Sequence, residues 1–249
     1  MLQFIKKMLA QILSKQPSGR VESFINELVR GHVASLSPEE ALKFLFRLDH
    51  CNYMLEGAKS VEYGGGEHTK HRHMKYHDFF TDRITPSETV MDIGCGIGAL
   101  AKSIAEKSGA SVIGVDINED NINKAGDCYS HPKVKYLVGD ATEKLPIDKC
   151  TVVVLSNVLE HIEKRIEFLG KIIRNINPDR ILIRVPLFER DWRVPLKKEL
   201  GVEWRLDMTH ETEYTIESFE REMADSQLSI LHREVRWGEI WAETEPIVR

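Results

Sequence analysis

One stretch constrains this chain more than any other: Thr89 to Gly98, TVMDIGCGIG. An apolar run carrying a single acid, Asp92, breaks into glycines at alternate positions, Gly94, Gly96 and Gly98. A short apolar run ending in such a loop predicts a buried parallel strand that turns tightly into a helix. Glycine is required where the backbone bends sharply and a ligand approaches closely. The helix predicted next, Ala99 to Lys107, presents free backbone N–H groups to a ligand's negative end.

The partners of this loop lie at informative distances. Asp116 follows the next apolar run, SVIGV, 18 residues beyond Gly98. An acid at the tip of the second strand of a βαβ unit takes both ribose hydroxyls, because a carboxylate has two acceptor oxygens. Asp140 follows the third run, Val134 to Val138, in the phrase VGDAT. These features mark a nucleoside-binding half-fold without choosing the cofactor. The dinucleotide fingerprint is G-x-G-x-x-G, whereas this chain has G-x-G-x-G with an acid two residues ahead. Asp92 is of little use against a pyrophosphate, and it suits a ligand carrying an ammonium and a sulfonium.

MDIGCGIG, GVDIN, GDAT and SNVLEHI, in this order and spacing, resemble the successive motifs of class I S-adenosylmethionine-dependent methyltransferases, over about Val90 to Pro186. The resemblance implies a doubly wound, Rossmann-like α/β fold, a seven-stranded sheet with an antiparallel last strand, and S-adenosylmethionine as cofactor. It carries Asp92, Gly94, Gly96 and Gly98 to the cofactor loop, and Asp116 and Ile117 to the second strand's tip. Asp140 is expected beside the adenine, accepting from its exocyclic amine, with Ala141 offering a backbone N–H. Asn157 is expected at the methionine end. In related enzymes the helix before the first strand contacts the methionine carboxylate, which makes Arg72 and Tyr76 candidates, since both donate hydrogen bonds.

Upstream, Met1 to Ser14 has a helical stripe of Leu2, Ile5, Leu9, Ile12 and Leu13. Such a helix packs on the body or a second subunit, or rests on a membrane surface. A short helix, Val21 to Val29, is expected to stop near Gly31. Ser37-Pro38-Glu39-Glu40 is a capping box with proline at the first helical position, opening a helix to about Glu56. Residues 1–60 thus read as a helical region and 61–249 as the main domain, joined at Gly64-Gly65-Gly66. In the following run His73 and His77 stand at i, i+4 on one helix face, a spacing that suits a metal. The surrounding Lys and Arg repel a cation, and no metal site is expected.

Downstream, a β-branched fourth strand, Thr151 to Leu155, ends in Ser156-Asn157-Val158-Leu159-Glu160-His161. Ligands in open α/β sheets sit outside the strands' carboxyl ends, so this phrase faces the cleft. A helix from Lys164 to Asn175 and a fifth strand, Arg180 to Val185, follow. Leu187 to Glu213 interrupts the alternation and reads as an inserted loop, the usual carrier of substrate choice. Its Trp192 and Trp204 read equally as acceptor contacts or packing anchors. A sugar hydroxyl is a poor nucleophile and needs a base. His161 and His210 are the candidates, though His161 is read first as a structural or cofactor-orienting residue; Glu160 with His161 is a lesser candidate for a divalent-metal site, and no metal is expected. A helix, Thr215 to Ser226, and two strands close the chain.

Net charge is −5, which weighs against nucleic acid as the main partner. Cys51, Cys95, Cys128 and Cys150 form no C-x-x-C pair, and no signal peptide or transmembrane run is evident, so a cytoplasmic protein is expected. The leading expectation is O-methylation of a small molecule or glycan. Tyr76 to Phe80, the SNVLEHI phrase and Arg236-Trp237-Gly238-Glu239 are loosely similar to methyltransferases of bacterial surface-polysaccharide pathways. The alternatives are a quinone-like, lipid-soluble acceptor served by residues 1–14, or a cofactor-binding module without turnover. The acceptor and the oligomeric state stay open.

Overall fold

The computed structural model describes residues 1–66 and 68–247, apart from the side chain of Leu2. Five strands are mutually parallel: β1 (Thr89–Ile93), β2 (Ser111–Asp116), β3 (Val134–Val138), β4 (Val152–Ser156) and β5 (Arg180–Pro186). With β6 (Leu228–Arg236) and β7 (Glu239–Pro246) they form a seven-stranded sheet of order β3-β2-β1-β4-β5-β7-β6. β7 runs antiparallel to both of its neighbours, as expected. Strand order reverses between β1 and β4, so a ligand crevice opens at their carboxyl ends.

Helices α1 (Leu2–Leu13), α2 (Ser18–Ala34), α3 (Pro38–Tyr63), α4 (Lys70–Met74) and α5 (Tyr76–Thr81) precede the sheet. Helices α6 (Ala99–Ser108), α7 (Glu119–Cys128), α8 (Arg165–Ile176), α9 (Arg193–Glu199) and α10 (Ile216–Asp225) are interleaved with it. Period-two alternation sorts the core into two layers. Met91, Ile93, Val153, Leu155 and Ile183 pack with Leu169 and Ile172 of α8 and Phe219 of α10. Val90, Val112, Val152, Val154 and Leu182 pack with Ile104 of α6 and Phe79 and Phe80 of α5. With both faces buried, a one-residue slip would exchange the layers, so the register of the strand ends is fixed. The chain forms two compact units, Met1–Lys59 with Glu199–Val202, and Ser60–Lys198 with the chain from Glu203 onward. Among the described residues no helix is long and apolar enough to cross a membrane.

Four local expectations are corrected. α2 runs through Gly31 to Ala34, because a helical glycine costs only about 1 kcal/mol against alanine and does not end a helix by itself. α3 begins at the expected capping box, with Ser37 Oγ 2.6 Å from Glu40 Oε2, but runs on to Tyr63. It is closed there by the glycines: Gly65 and Gly66 are left-handed, and Gly66 N–H donates to Val61 O at 2.9 Å. His73 and His77 do not share a helix face, since Lys75 at φ 49° separates α4 from α5. Finally, α9 forms inside the segment read as a loop; its Pro195 sits in the first turn, where no N–H is needed.

Candidate active site

The turn after β1 holds two acids in opposite circumstances. Asp92 is buried on the strand, and its Oδ2 has no hydrogen-bond partner among the described residues. Burial, and then the charge of Asp116, push its pKa up to about 8. Asp116, at the tip of β2, is engaged by its own chain. Its Oδ2 accepts from Gly96 N–H at 2.8 Å, and its Oδ1 accepts from Asn118 N–H at 2.9 Å and from the Asn121 amide at 3.3 Å. It therefore braces the glycine turn and the start of α7, with lone pairs left for a ligand's hydroxyls. Gly98 is left-handed at φ 87°, and a Cβ there would lie 2.5 Å from the Tyr136 hydroxyl. A Cβ on Gly96, φ 55°, would meet nothing within 4 Å, so this is where the backbone faces open space. Gly94 is pressed against Val158, the neighbour of Asn157.

Asp140 follows β3. Its Oδ1 accepts from Thr142 N–H at 2.8 Å and from the Thr142 hydroxyl at 2.6 Å, which holds the carboxyl below its usual range. Ala141 beside it is buried, whereas Ile117 is exposed.

On the β1–β4–β5 side the structure adds a group that the sequence reading missed. Arg184 of β5 lies in register with Ser156 of β4 and is buried. It makes a two-pronged pair with Glu239, at 2.6 and 2.8 Å, and its guanidinium lies 4.1 Å from the centre of the Tyr76 ring. The Trp241 indole N–H donates to the same Glu239 at 3.0 Å. The signal available was a lone arginine in the apolar run ILIRVP. Tyr76 is thus buried against this pair, while Arg72 is grouped with Tyr63, 5.8 Å from that ring, rather than with the strand-end acids.

The end of β4 carries the third cluster. Asn157 is left-handed at φ 58°, an unusual conformation that asparagine tolerates better than most residues. Its N–H donates to Arg184 O at 2.8 Å, and its side-chain oxygen is buried without a partner among the described residues. A 3-10 turn, Leu159–His161, then presents Glu160 and His161. The inserted segment returns to this point: Glu211 N–H donates to Glu160 O at 2.7 Å. His161 and His210, far apart in sequence, are thereby brought together with ring centres 4.7 Å apart. His161 Nδ1 lies 2.9 Å from Thr209 Oγ1, and His210 Nδ1 lies 3.0 Å from Glu213 Oε1. Glu160 is fully buried, and burial pushes its pKa up to about 7. Burial, then His210, hold His161 below the usual histidine value. Glu160, His161 and His210 each offer a ligand atom within 4.8 Å of the others. The cluster is equipped to take a proton near neutral pH or to hold a cation. Of the insertion's aromatics, Trp204 packs edge-on against Phe188 at 5.2 Å, and Trp192 is exposed.

A cationic nucleoside fits this crevice. An orphaned, buried oxygen waits at Asp92, the approach over Gly96 is open, and acids stand at the ends of β1 and β2 and just beyond β3. The model of a family described as a methyltransferase domain matches residues 66–233. A 2-methyl-6-phytyl-1,4-hydroquinone methyltransferase of Synechocystis sp. is 28% identical over 149 residues, covering 55% of this chain and 45% of that protein. A ubiquinone biosynthesis O-methyltransferase of Rhodopseudomonas palustris is 30% identical over 117 residues, 46% of each chain. The chain thus spans about half the length of these curated relatives. In fold, it is similar to the magnesium protoporphyrin IX methyltransferase of Synechocystis with bound SAH, with TM-score 0.55 and 18% identity over 70% of this chain and 83% of that one.

Proposed function

Because this chain belongs to the methyltransferase-domain family, we propose that it moves the methyl group of S-adenosylmethionine to a hydroxyl of a small-molecule acceptor. The observation that carries this reading is the buried Asp92 carboxyl, whose Oδ2 has no partner among the described residues, beside an open glycine turn, with a Glu160–His161–His210 cluster at the neighbouring strand end. When bound, the cofactor supplies a methyl already attached to a good leaving group. The protein's own task is alignment and dryness, and orientation of this kind is worth ~7–11 kcal/mol of barrier. Asp92 meets the cofactor's ammonium, Asp116 its ribose hydroxyls, and Asp140 with Ala141 its adenine. Asn157 stands at the methionine end, with Tyr76 and Arg72 as further candidates there. The histidine pair receives the acceptor's hydroxyl proton.

The acceptor class has two arms. Similarity to enzymes named for hydroquinone and ubiquinone substrates favours a quinol, and so does α1, whose Phe4, Ile5, Met8, Leu9 and Ile12 are exposed in a pattern that suits a membrane surface. The exposed Trp192 in the insertion suits the apolar face of a sugar, the surface-polysaccharide arm. Chemistry belongs to residues 61–249 and the helical region to 1–60. All four cysteines are free, which supports the cytoplasm as the compartment.

Calorimetry with S-adenosylmethionine, followed by transfer of labelled methyl to quinol, glycan and RNA fractions, tests the proposal. Binding with label entering a quinol or glycan is the expected result. Binding with no transfer to any fraction leaves a module without turnover. No binding overturns the reading.

A further inference from the structure

We propose that Glu160, His161 and His210 form a binding site for one divalent first-row transition-metal ion, placed to receive the acceptor's oxygen. Two features set this cluster apart from an ordinary group of polar side chains. The first is Glu160 itself. It is fully buried, and neither of its carboxylate oxygens has a hydrogen-bond partner among the described residues. A buried carboxylate with nothing to accept from is disfavoured unless a cation or donor joins it.

The second feature is the tautomer of each histidine, which follows from the partners. Glu213 accepts from Leu206 N–H at 2.6 Å and pairs with Arg190, so it is held as an acceptor. His210 Nδ1, 3.0 Å from it, therefore carries the ring proton. The Thr209 hydroxyl gives its one proton to Asp207 Oδ1 at 2.7 Å, so it accepts from His161 Nδ1 at 2.9 Å. Both rings are left with an Nε2 lone pair. This is the arrangement of metal-bound histidines, whose outer nitrogen donates to a carboxylate or other acceptor that fixes the ring.

The main chain holds the two halves together, since Glu211 and Thr212 N–H both donate to Glu160 O, at 2.7 and 3.3 Å. Ligand atoms already within 4.8 Å of one another need only a modest contraction to reach metal–ligand distances of ~2.0–2.2 Å. Two imidazoles and one carboxylate suit zinc, manganese or iron better than calcium. His161 is exposed, which leaves the solvent side of the site for the acceptor.

The role of the ion rests on the methyl-transfer reading; its binding does not. On that reading, with both imidazole lone pairs on the ion, an acceptor hydroxyl at the open side loses its proton to water instead of to the histidine pair. Its oxygen pair forms the new bond to the methyl carbon, and the carbon–sulfur bond breaks with its electrons kept by sulfur. A sulfonium becomes a neutral thioether, and the ion is neither oxidised nor reduced.

The test is titration of the metal-free, full-length protein with Mn²⁺, read by loss of the free-ion EPR signal, and with Zn²⁺, read by calorimetry. One ion per chain is expected. Glu160→Gln and His161→Ala should each weaken it by about tenfold or more, while His73→Ala, in the other histidine-rich run, leaves it unchanged. Thermal melts and a cofactor titration on the same samples establish that the variants are folded. No uptake of either ion overturns the inference, and so does uptake that Glu160→Gln and His161→Ala leave unaltered or that His73→Ala removes. A protein that binds cofactor but no ion refutes this inference alone; one that binds the ion but no cofactor refutes the methyl-transfer reading alone.

Discussion

Asp116 and Glu160 are both buried acids at strand ends, and the chain treats them in opposite ways. Asp116 accepts from two backbone N–H groups and an amide, all supplied by the residues it braces. Glu160 has no hydrogen-bond partner of good geometry among the described residues, yet the backbone around it is tied down by Glu211 and Thr212. An acid satisfied by its own chain is part of the scaffold before any ligand arrives. An acid left unsatisfied destabilises the free protein, and its place is justified by what it meets later. On the proposed reading, the rim at β1 and β2 is thus a preformed cradle, and the rim at β4 is chemistry held in readiness. Substitutions on the two rims should fail in different ways.

The largest effect belongs to the β4 rim. His161→Ala should lower turnover by ~10²–10⁴-fold, whether the residue takes the proton itself or holds an ion that makes the acceptor hydroxyl more acidic. Cofactor affinity, measured by calorimetry, should stay within about twofold, because no cradle residue is touched. Near-normal turnover with an identified acceptor would break the contrast from this side. Asp116→Ala comes next and should do the reverse. It removes ribose acceptors and also unpins Gly96 and Asn118, at ~1.5–3 kcal/mol for a hydrogen bond to a charged group. Cofactor affinity should fall more than about tenfold, with a lower melting temperature even in cofactor-free protein. If affinity falls and the melting temperature does not, Asp116 is a ligand contact only, and its bracing role is wrong.

The same contrast decides what could be seen in the sequence. The cradle is written contiguously: Asp92 sits in an apolar run that the glycines follow at once, and Asp116 and Asp140 come just after the next two runs, so period and spacing expose the strands of the sheet and their ligand ends. The β4 rim is assembled across the fold. His210 reaches His161 only because an inserted segment returns and pairs its backbone with Glu160. Both histidines were legible as individuals; their contact was not. Arg184 and Glu239 were hidden for a related reason, because antiparallel pairing of β5 with β7 brings them together, and no local pattern encodes that register. The break at Lys75 was missed because a non-glycine residue at positive φ leaves no compositional mark.

Asp92 sharpens the comparison through pH. Its pKa in the free protein is pushed up to about 8 by burial and by Asp116. An unfolded aspartate titrates near ~3.9. Between these values the folded state keeps a proton that the unfolded state has lost, so stability of the free protein falls as pH rises through that window. Cofactor binding has the opposite slope, because the ammonium favours the ionised carboxylate. Affinity should rise with pH, by up to about tenfold between about pH 6 and 7, and fall again above about pH 8 as the cofactor's own α-ammonium loses its proton. Calorimetric titration of wild type and Asp92→Asn checks this: a flat wild-type profile, or an equal slope in the variant, assigns the proton to another group.

The smallest effect should come from Asp140, which stands between the two cases. One oxygen is occupied by Thr142, so on the proposed reading the residue is half scaffold and half ligand contact. Asp140→Ala should weaken cofactor by about threefold to tenfold, the range of one modest hydrogen bond. Asp140→Asn separates the two halves. Its amide keeps one oxygen, enough for the Thr142 turn, but puts an N–H₂ where the second oxygen stood. That group repels an exocyclic amine and cannot accept from it. If Asn behaves like Ala in calorimetric titration, Asp140 recognises the base. If Asn restores wild-type affinity, capping the turn was its whole contribution, and the adenine is read by backbone alone.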